Sequence, residues 1–282
     1  MMKTRRFTAM LATLLAILPL WGGEAFCAAP PRRIVSLAPA ITELLYALGV
    51  GDRVVGVTNV CDRPAEALKK PKVGGMTNPS LESILALKPD LVLMIKEGNP
   101  KEAADRLKKL GIRVHVFSAG RLADLPPAIR EMGRALGVRG QAAALAGKIE
   151  SATSDAARRR KGAKGRVRKA LFIVSPAPLI VVGQGTIIDD AMALCGLKNI
   201  AADAGSAYPE ISLESVIERQ PDIIIIGSGR GMKIRAEALL KRLKTVTAVQ
   251  NGRVCYLGDA LYRPGPRIPE GMAELYNCAT IP

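Results

Sequence analysis

Histidine is almost missing from this chain of 282 residues: His115 is the only one, and aromatic residues make up 4% of the sequence. A Ser-His-acid triad, a zincin or a three-histidine metal site needs histidine on a loop or helix face. His115 instead falls inside the alternating run Arg113-Val114-His115-Val116-Phe117, a strand pattern. Nucleotide loops are missing as well, since neither Gly-x-x-x-x-Gly-Lys nor Gly-x-Gly-x-x-Gly follows a strand-like run. Gly183-Gln184-Gly185-Thr186 opens a helix and reads as a turn with an N-cap. No catalytic group is expected, and no resident metal or cofactor.

Acidic residues are scarce too: 25 against 41 basic ones, a formal net charge of +16. The basic residues peak at Arg158-Arg159-Arg160-Lys161 and again from Lys164 to Lys169. Nucleic-acid binding would call for aromatic platforms or a recognisable module beside that charge, and neither is there. The runs are expected to be a solvated helix end and linker, with no nucleic-acid partner. Internal apolar runs such as Leu91 to Ile95 and Ile223 to Ile226 are far too short to span a bilayer.

The N-terminus has a different composition. Lys3, Arg5 and Arg6 precede a short apolar core, Met10 to Leu20, and then Glu24-Ala25-Phe26-Cys27-Ala28-Ala29. Residues 1–29 are expected to be a secretory signal, which places the mature protein in the periplasm. Glu24 and Phe26 stand where a lipobox would carry Leu and Gly or Ala, so a lipid anchor at Cys27 is not expected. Four cysteines remain: Cys61, Cys195, Cys255 and Cys278. In an exported protein they can form disulfides. Cys195 and Cys278 can bridge within the second half, while Cys61 and Cys255 suit buried thiols equally well.

What the chain does possess is a long-range repeat. Ser80-Leu81-Glu82-Ser83-Ile84, with Pro89-Asp90-Leu91-Val92-Leu93, recurs 132 residues later as Ser212-Leu213-Glu214-Ser215-Val216, with Pro221-Asp222-Ile223-Ile224-Ile225. Each copy reads as a serine-capped helix, a proline stop and a buried strand. Two copies at that spacing predict two α/β lobes with a cleft between them. Strands are expected at 34–37, 53–57, 91–95, 113–117, 169–174, 223–226 and 253–257, alternating with helices, as parallel sheets require. Between the repeats, Gln141 to Arg160 fits one helix of about 30 Å at 1.5 Å per residue, a strut that would limit lobe motion. The lobes are then 33–138 and 167–282, with a linking helix over 139–166.

Ligands of open α/β sheets bind beyond the carboxyl ends of the strands. The loops expected there are rich in small residues, prolines and a few polar groups, which suits a rigid, roomy cleft. They include Ala38-Pro39-Ala40, Asn59 to Pro64, Gly74 to Asn78, Glu97-Gly98-Asn99, Ala207 to Glu210 and Asp259 to Pro264.

The opening Arg33-Ile34-Val35-Ser36-Leu37-Ala38-Pro39-Ala40-Ile41-Thr42-Glu43 resembles the start of class III periplasmic binding proteins of ABC importers. Val73-Gly74-Gly75, Leu87-Lys88-Pro89-Asp90 and Arg263-Pro264-Gly265-Pro266-Arg267 look like the same family. The resemblance implies two Rossmann-like lobes joined by a single long helix, a monomer, a permease partner and a ligand among the siderophores, haem and cobalamin. The expected ligand is a corrinoid such as cobalamin; the alternative is an iron-siderophore or haem, and the rival of another class is a secreted thiol enzyme using Cys61. Asn59-Val60-Cys61-Asp62-Arg63-Pro64 is similar to the Cys-Asp-x-Pro loop of cobalamin-binding members, and Glu97-Gly98-Asn99 to their Gly-Gly-Asn loop. By that likeness the ligand-binding candidates are Pro39, Ala40, Asn59, Cys61, Asp62, Met76, Thr77, Gly98, Asn99, Tyr208, Asp259, Tyr262 and Arg263. Glu82 and Glu214 match paired surface glutamates that dock onto the permease. Cys195 and Cys278 fall near the family's disulfide positions. The one Trp, Trp21, lies in the signal, which leaves Tyr208 and Tyr262 to supply stacking area.

Overall fold

The computed structural model describes residues 29–162, 166–227, 229 and 231–281. Residues 1–28 of the expected signal, with Trp21 and Cys27, therefore lie outside the described residues, as does Lys164 of the second basic run.

In the first lobe, strands β1 (Ile34–Ser36), β2 (Val54–Val57), β3 (Leu91–Ile95) and β4 (Val114–Phe117) form a parallel sheet in the order β2-β1-β3-β4. Helices α1 (Pro39–Ala47), α2 (Leu81–Ala86) and α3 (Lys101–Lys109) connect them. All five residues of β3 are buried, as a central parallel strand covered on both faces must be. α1 starts at Pro39, which fits the first helical turn because its missing N–H costs nothing there.

Helices α4 (Leu125–Leu136) and α5 (Arg139–Gly162) follow, separated by Gly137 in the left-handed conformation. α5 is the expected strut, 24 residues long. Its buried positions are Ala142, Ala146 and Ile149, a narrow seam of two alanines and one isoleucine. A Cβ on Gly133 of α4 would stand 2.1 Å from the Ala142 Cβ, so the two helices touch backbone to backbone. Paired hydrogen bonds from Arg130 to Glu150, both 2.7 Å, tie them together at the surface.

The second lobe holds β5 (Arg168–Pro176), β6 (Leu179–Val181), α6 (Ile187–Leu194), β7 (Leu197–Asn199), α7 (Leu213–Arg219) and β8 (Ile223–Gly227). It ends with α8 (Met232–Arg242), α9 (Thr247–Gln250), β9 (Val254–Leu257) and α10 (Ile268–Ala279). Its main path runs β6-β5-β8-β9, and β7 also pairs with β5. This sheet is mixed, where near-continuous apolar strands suggested a parallel one. β6 folds back antiparallel on the end of the long β5, and β7 pairs parallel with its beginning. Two three-residue strands are too short to announce themselves by periodicity.

The repeat extends to atomic detail. Ser80 and Ser212 each accept the N–H of the residue three further on, at 3.1 and 3.2 Å. Lys88 and Gln220, at matching positions, adopt φ of 45° and 44°. The following aspartates fasten the first strand of each lobe: Asp90 accepts the N–H groups of Arg32 and Arg33, and Asp222 that of Lys169. Helix, turn and strand are thus one locally encoded unit used twice.

The largest apolar cluster starts at Ile34 and Leu93, passes through α1, α4 and α5, and ends among Phe172, Ile188, Ile225 and Leu275. The lobes therefore share buried surface along the strut and separate at the strand ends. Arg121, just before α4, pairs with Asp190 of α6 on the same side.

The cysteine pairing differs from expectation. Cys278 is bonded to Cys255, with Cα atoms 5.9 Å apart, while Cys195 and Cys61 are free. Cys255 lies within β9, directly beneath the last turns of α10. Cys195 caps α6, and its thiol points to the Met272 carbonyl instead, at 3.8 Å. Desolvation pushes the Cys195 thiol up to about 11.

Candidate functional site

The carboxyl ends of both sheets face one cleft. A cavity of about 300 Å³ lies between Ile95, Glu97, Ala119 and Gly120 of the first lobe and Gly185, Ala207, Tyr208, Leu261 and Tyr262 of the second. Its aromatic wall is built from Tyr208 and Tyr262. The Tyr262 ring meets Phe172 edge to face, with centroids 5.7 Å apart. It also lies directly on Gly227, where a Cβ would fall 1.4 Å from the Tyr262 hydroxyl oxygen. β8 must therefore end in glycine to seat that ring. The Tyr262 hydroxyl is buried and has no hydrogen-bond partner. Burial raises its pKa. Tyr208 is 51% exposed, and its pKa is raised by burial and by the Glu97 carboxylate from the opposite lobe.

Beside this cavity, charged groups join the lobes. Glu43 of α1 has a side chain 5% exposed and binds two arginines of the second lobe. It accepts from Arg263 Nη1 at 2.8 Å and from Arg267 Nε at 2.7 Å. Arg263 also donates to Asp62 at 2.6 Å and lies 3.1 Å from Asp259. Arg267 donates to Asp259 at 2.9 Å, and Arg63 stands 4.0 Å from the same carboxylate. Three cations thus face three carboxylates. The Arg263 hydrogen bond holds the Asp62 carboxyl below its ordinary value.

The expected ligand residues divide into groups. Tyr208 and Tyr262 line the cavity, while Asp62, Asp259 and Arg263 build the charged seam. Asn59 and Thr77 are exposed on their loops. Asn99 is committed elsewhere: its Oδ1 accepts the Ile95 N–H at 2.7 Å, and its Nδ2 donates to the Leu37 and Met76 carbonyls. That amide fastens three loops, with both Nδ2 hydrogens committed. Gly98, at φ 145°, brings its backbone so close to Met76 that a Cβ would stand 2.9 Å from the Met76 methyl. Ala40 is buried under the loop, and Pro39 opens α1.

Cys61 does not reach the cleft. It is 1% exposed, with its sulfur 3.1 Å from both the Thr42 and the Thr58 hydroxyl. The apolar floor of the lobe takes the thiol because cysteine packs as a small hydrophobe. A thiol nucleophile would need access and a base, and the Cys61 sulfur is buried with two threonine hydroxyls as its hydrogen-bond partners.

Glu43 and Gly227 were not singled out by the sequence. The signal for Glu43 was available: a carboxylate inside the apolar run Ile41 to Leu45 is buried, and a buried carboxylate needs a partner. Nothing local could have named the partner, more than 200 residues away.

Glu82 and Glu214 are both exposed, one at the first turn of each repeated helix. Among the described residues no group of His, Cys, Asp and Glu could hold a metal ion. No described helix is long and apolar enough to cross a membrane.

Twin lobes on a helical strut, open only at the strand ends, define a binding protein of the two-lobed class. The profile of the periplasmic binding protein family matches residues 34–261, and this chain belongs to that family. The ABC transporter substrate-binding lipoprotein YvrC of Bacillus subtilis, itself uncharacterized, is 35% identical over 254 residues, spanning 87% of this chain and 79% of the relative. Two solved structures are similar. The periplasmic vitamin B12 binding protein BtuF of Vibrio cholerae superposes with a TM-score of 0.79 at 28% identity, covering 89% of this chain and 97% of that one. The periplasmic heme-binding protein RhuT of Roseiflexus superposes at 0.78 with 29% identity, covering 88% and 99%. The protein is the solute-binding component of an ABC importer.

Proposed function

We propose that the protein captures a corrinoid such as cobalamin in the periplasm and delivers it to its permease. The observation that carries this reading is the charge balance of the seam. Among the described residues of the seam, Arg63, Arg263 and Arg267 are matched by Glu43, Asp62 and Asp259, so the seam itself offers no uncompensated cation. A ferric siderophore complex or the propionates of haem would call for such a cation. A corrinoid is bulky and amide-rich and needs shape, stacking and neutral hydrogen bonds. Tyr208 and Tyr262 supply the apolar area, and the unpartnered Tyr262 hydroxyl is a donor ready for an amide carbonyl. The macrocycle is larger than the cavity between the tyrosines and Glu97, so that cavity is the floor of its seat.

One observation favours haem as the second reading. Two phenols converge on the cleft, and tyrosine is an established haem ligand. Against it, burial raises the pKa of both, and the Glu97 charge adds to this at Tyr208, so the phenolate that iron requires is disfavoured. Calorimetric titration of the purified protein with cobalamin, haemin and a ferric hydroxamate separates the readings. Tight 1:1 binding of cobalamin alone is expected. Haemin binding with a tyrosinate charge-transfer band, and no heat with cobalamin, would overturn the corrinoid reading.

A further inference from the structure

Two facing walls of the cleft cavity each pass, within a few residues, into one half of a contact between the lobes. Ala119 and Gly120 line the cavity from the first lobe, and Gly185, Thr186 and Ile187 line it from the second. A Cβ at Gly120 or Gly185 would meet nothing within 4 Å, so both backbones face open space there. Arg121 follows Gly120 directly, and Asp190 lies three residues beyond Ile187 on α6. The Asp190 carboxylate accepts Nε of Arg121 at 2.8 Å, Nη2 of the same guanidinium, and the Leu122 N–H at 2.9 Å. All three donors come from two adjacent residues of the first lobe. Each half is also anchored within its own lobe. The Arg121 N–H donates to Asp124, just before α4, at 2.9 Å. Asp189 accepts the Gly185 N–H at 3.1 Å and Asn199 Nδ2 at 2.9 Å, while the Thr186 hydroxyl caps α6 by accepting the Asp189 N–H.

We infer that Arg121 and Asp190 are positioning residues for ligand capture: their forked pair sets the spacing of the two walls, and with it the aperture of the cleft. The inference rests on the reading that this cavity is the floor of the ligand's seat. A guanidinium that grips a carboxylate through two parallel bonds fixes orientation as well as distance. The third donor is main chain, so the spacing does not depend on one long side chain alone. The seam around Glu43 adjoins Tyr262 and Pro264 instead, so the two contacts govern different stretches of the lining. The Arg121 and Asp190 side chains are 51% and 19% exposed, and pairs so open to solvent contribute little to stability. Breaking the fork is therefore felt in binding more than in folding. Affinity falls with the fraction of molecules that hold the binding spacing, so a variant holding it in about one molecule in ten binds about tenfold more weakly.

The test measures spacing and binding side by side. Nitroxides are carried on a keto-bearing amino acid introduced at Lys109 of α3 and Lys241 of α8, exposed positions of the two lobes. Pulsed electron resonance then reads the distance between them without ligand. The parent should give one narrow distribution. R121Q and D190N should each shift or broaden it and weaken cobalamin tenfold or more, with the urea midpoint unchanged. The charge swap R121D/D190R should bring the distribution back and recover affinity to within threefold of the parent. R130Q, which breaks the fork to Glu150 between α4 and α5, should alter neither reading. An R121Q distribution identical to the parent's, or an affinity within twofold of it, would overturn the proposal. Weakening that the swap does not recover would assign the effect to local structure and overturn it as well. A parent that binds haemin and not cobalamin sinks the corrinoid reading alone. The distance measurement then stands unchanged, and the affinities are compared with haemin under the same criteria.

Discussion

Glu43 and Arg267 stand 224 positions apart in sequence and form a bond of 2.7 Å, Nε to carboxylate, between the first helix of one lobe and the start of the last helix of the other. The contact joins the lobes on the cleft side, as Arg121 and Asp190 do beside the strut. Removing one member of a buried pair leaves the others desolvated without compensation. Glu43→Gln should lower stability by roughly 3 kcal/mol, read as a lower urea midpoint with an unchanged slope. A variant as stable as the parent would mean that the seam is solvated and contributes no linkage between the lobes.

Asp62 makes the same seam pH-sensitive. Its pKa is lowered chiefly by the hydrogen bond from Arg263, so its contribution is fully present above its unfolded value of 3.8. It is lost as the pH falls through the lower folded value. Asp62→Asn should therefore be slightly less stable than the parent at pH 7, by a few tenths of a kcal/mol for so exposed a partner. The gap should close below pH 3.8. A stability difference that persists in acid would assign the effect to packing.

Tyr262 separates stability from binding. An unsatisfied buried hydroxyl costs about 1–3 kcal/mol, so Tyr262→Phe should leave the free protein equally stable or more stable while weakening cobalamin about tenfold. Gly227→Ala should weaken it further by displacing the ring, since the added Cβ overlaps the phenol. Thermal melts and calorimetry on the two variants, side by side, check both halves of the statement.

The thiols give a chemical map. Alkylation of the native protein at pH 8 should modify Cys195 slowly, because burial lifts its pKa to about 11, and Cys61 slowly because it is closed off from solvent. Cys255 and Cys278 should label only after reduction. Peptide mapping would show it. A Cys195–Cys278 cross-link in the oxidised protein would contradict the pairing seen here.

Transport tests the two repeated glutamates. Glu82→Lys together with Glu214→Lys should keep ligand affinity within twofold and abolish uptake, since both side chains stand exposed on matching helices. Normal uptake would remove the docking role.

The sequence alone determined the units of this protein. Serine caps, proline stops and five-residue apolar runs act over a turn or a strand, so the helix–turn–strand repeat, the strut and the two lobes could be read directly. Strand ends moved by one or two residues, as at β1 and β5. Only the tertiary structure decided which groups meet across the lobes. Cys278 chose Cys255 over Cys195 because α10 lies on β9. Asn99 came to fasten loops from three parts of the first lobe. Glu43 found Arg263 and Arg267, and arginines of α5, β5 and the turn before β9 came to line one hollow. Local propensity reaches a few residues along the chain, whereas charge pairing and cavity shape arise from contacts that exist only once both lobes are packed against the strut.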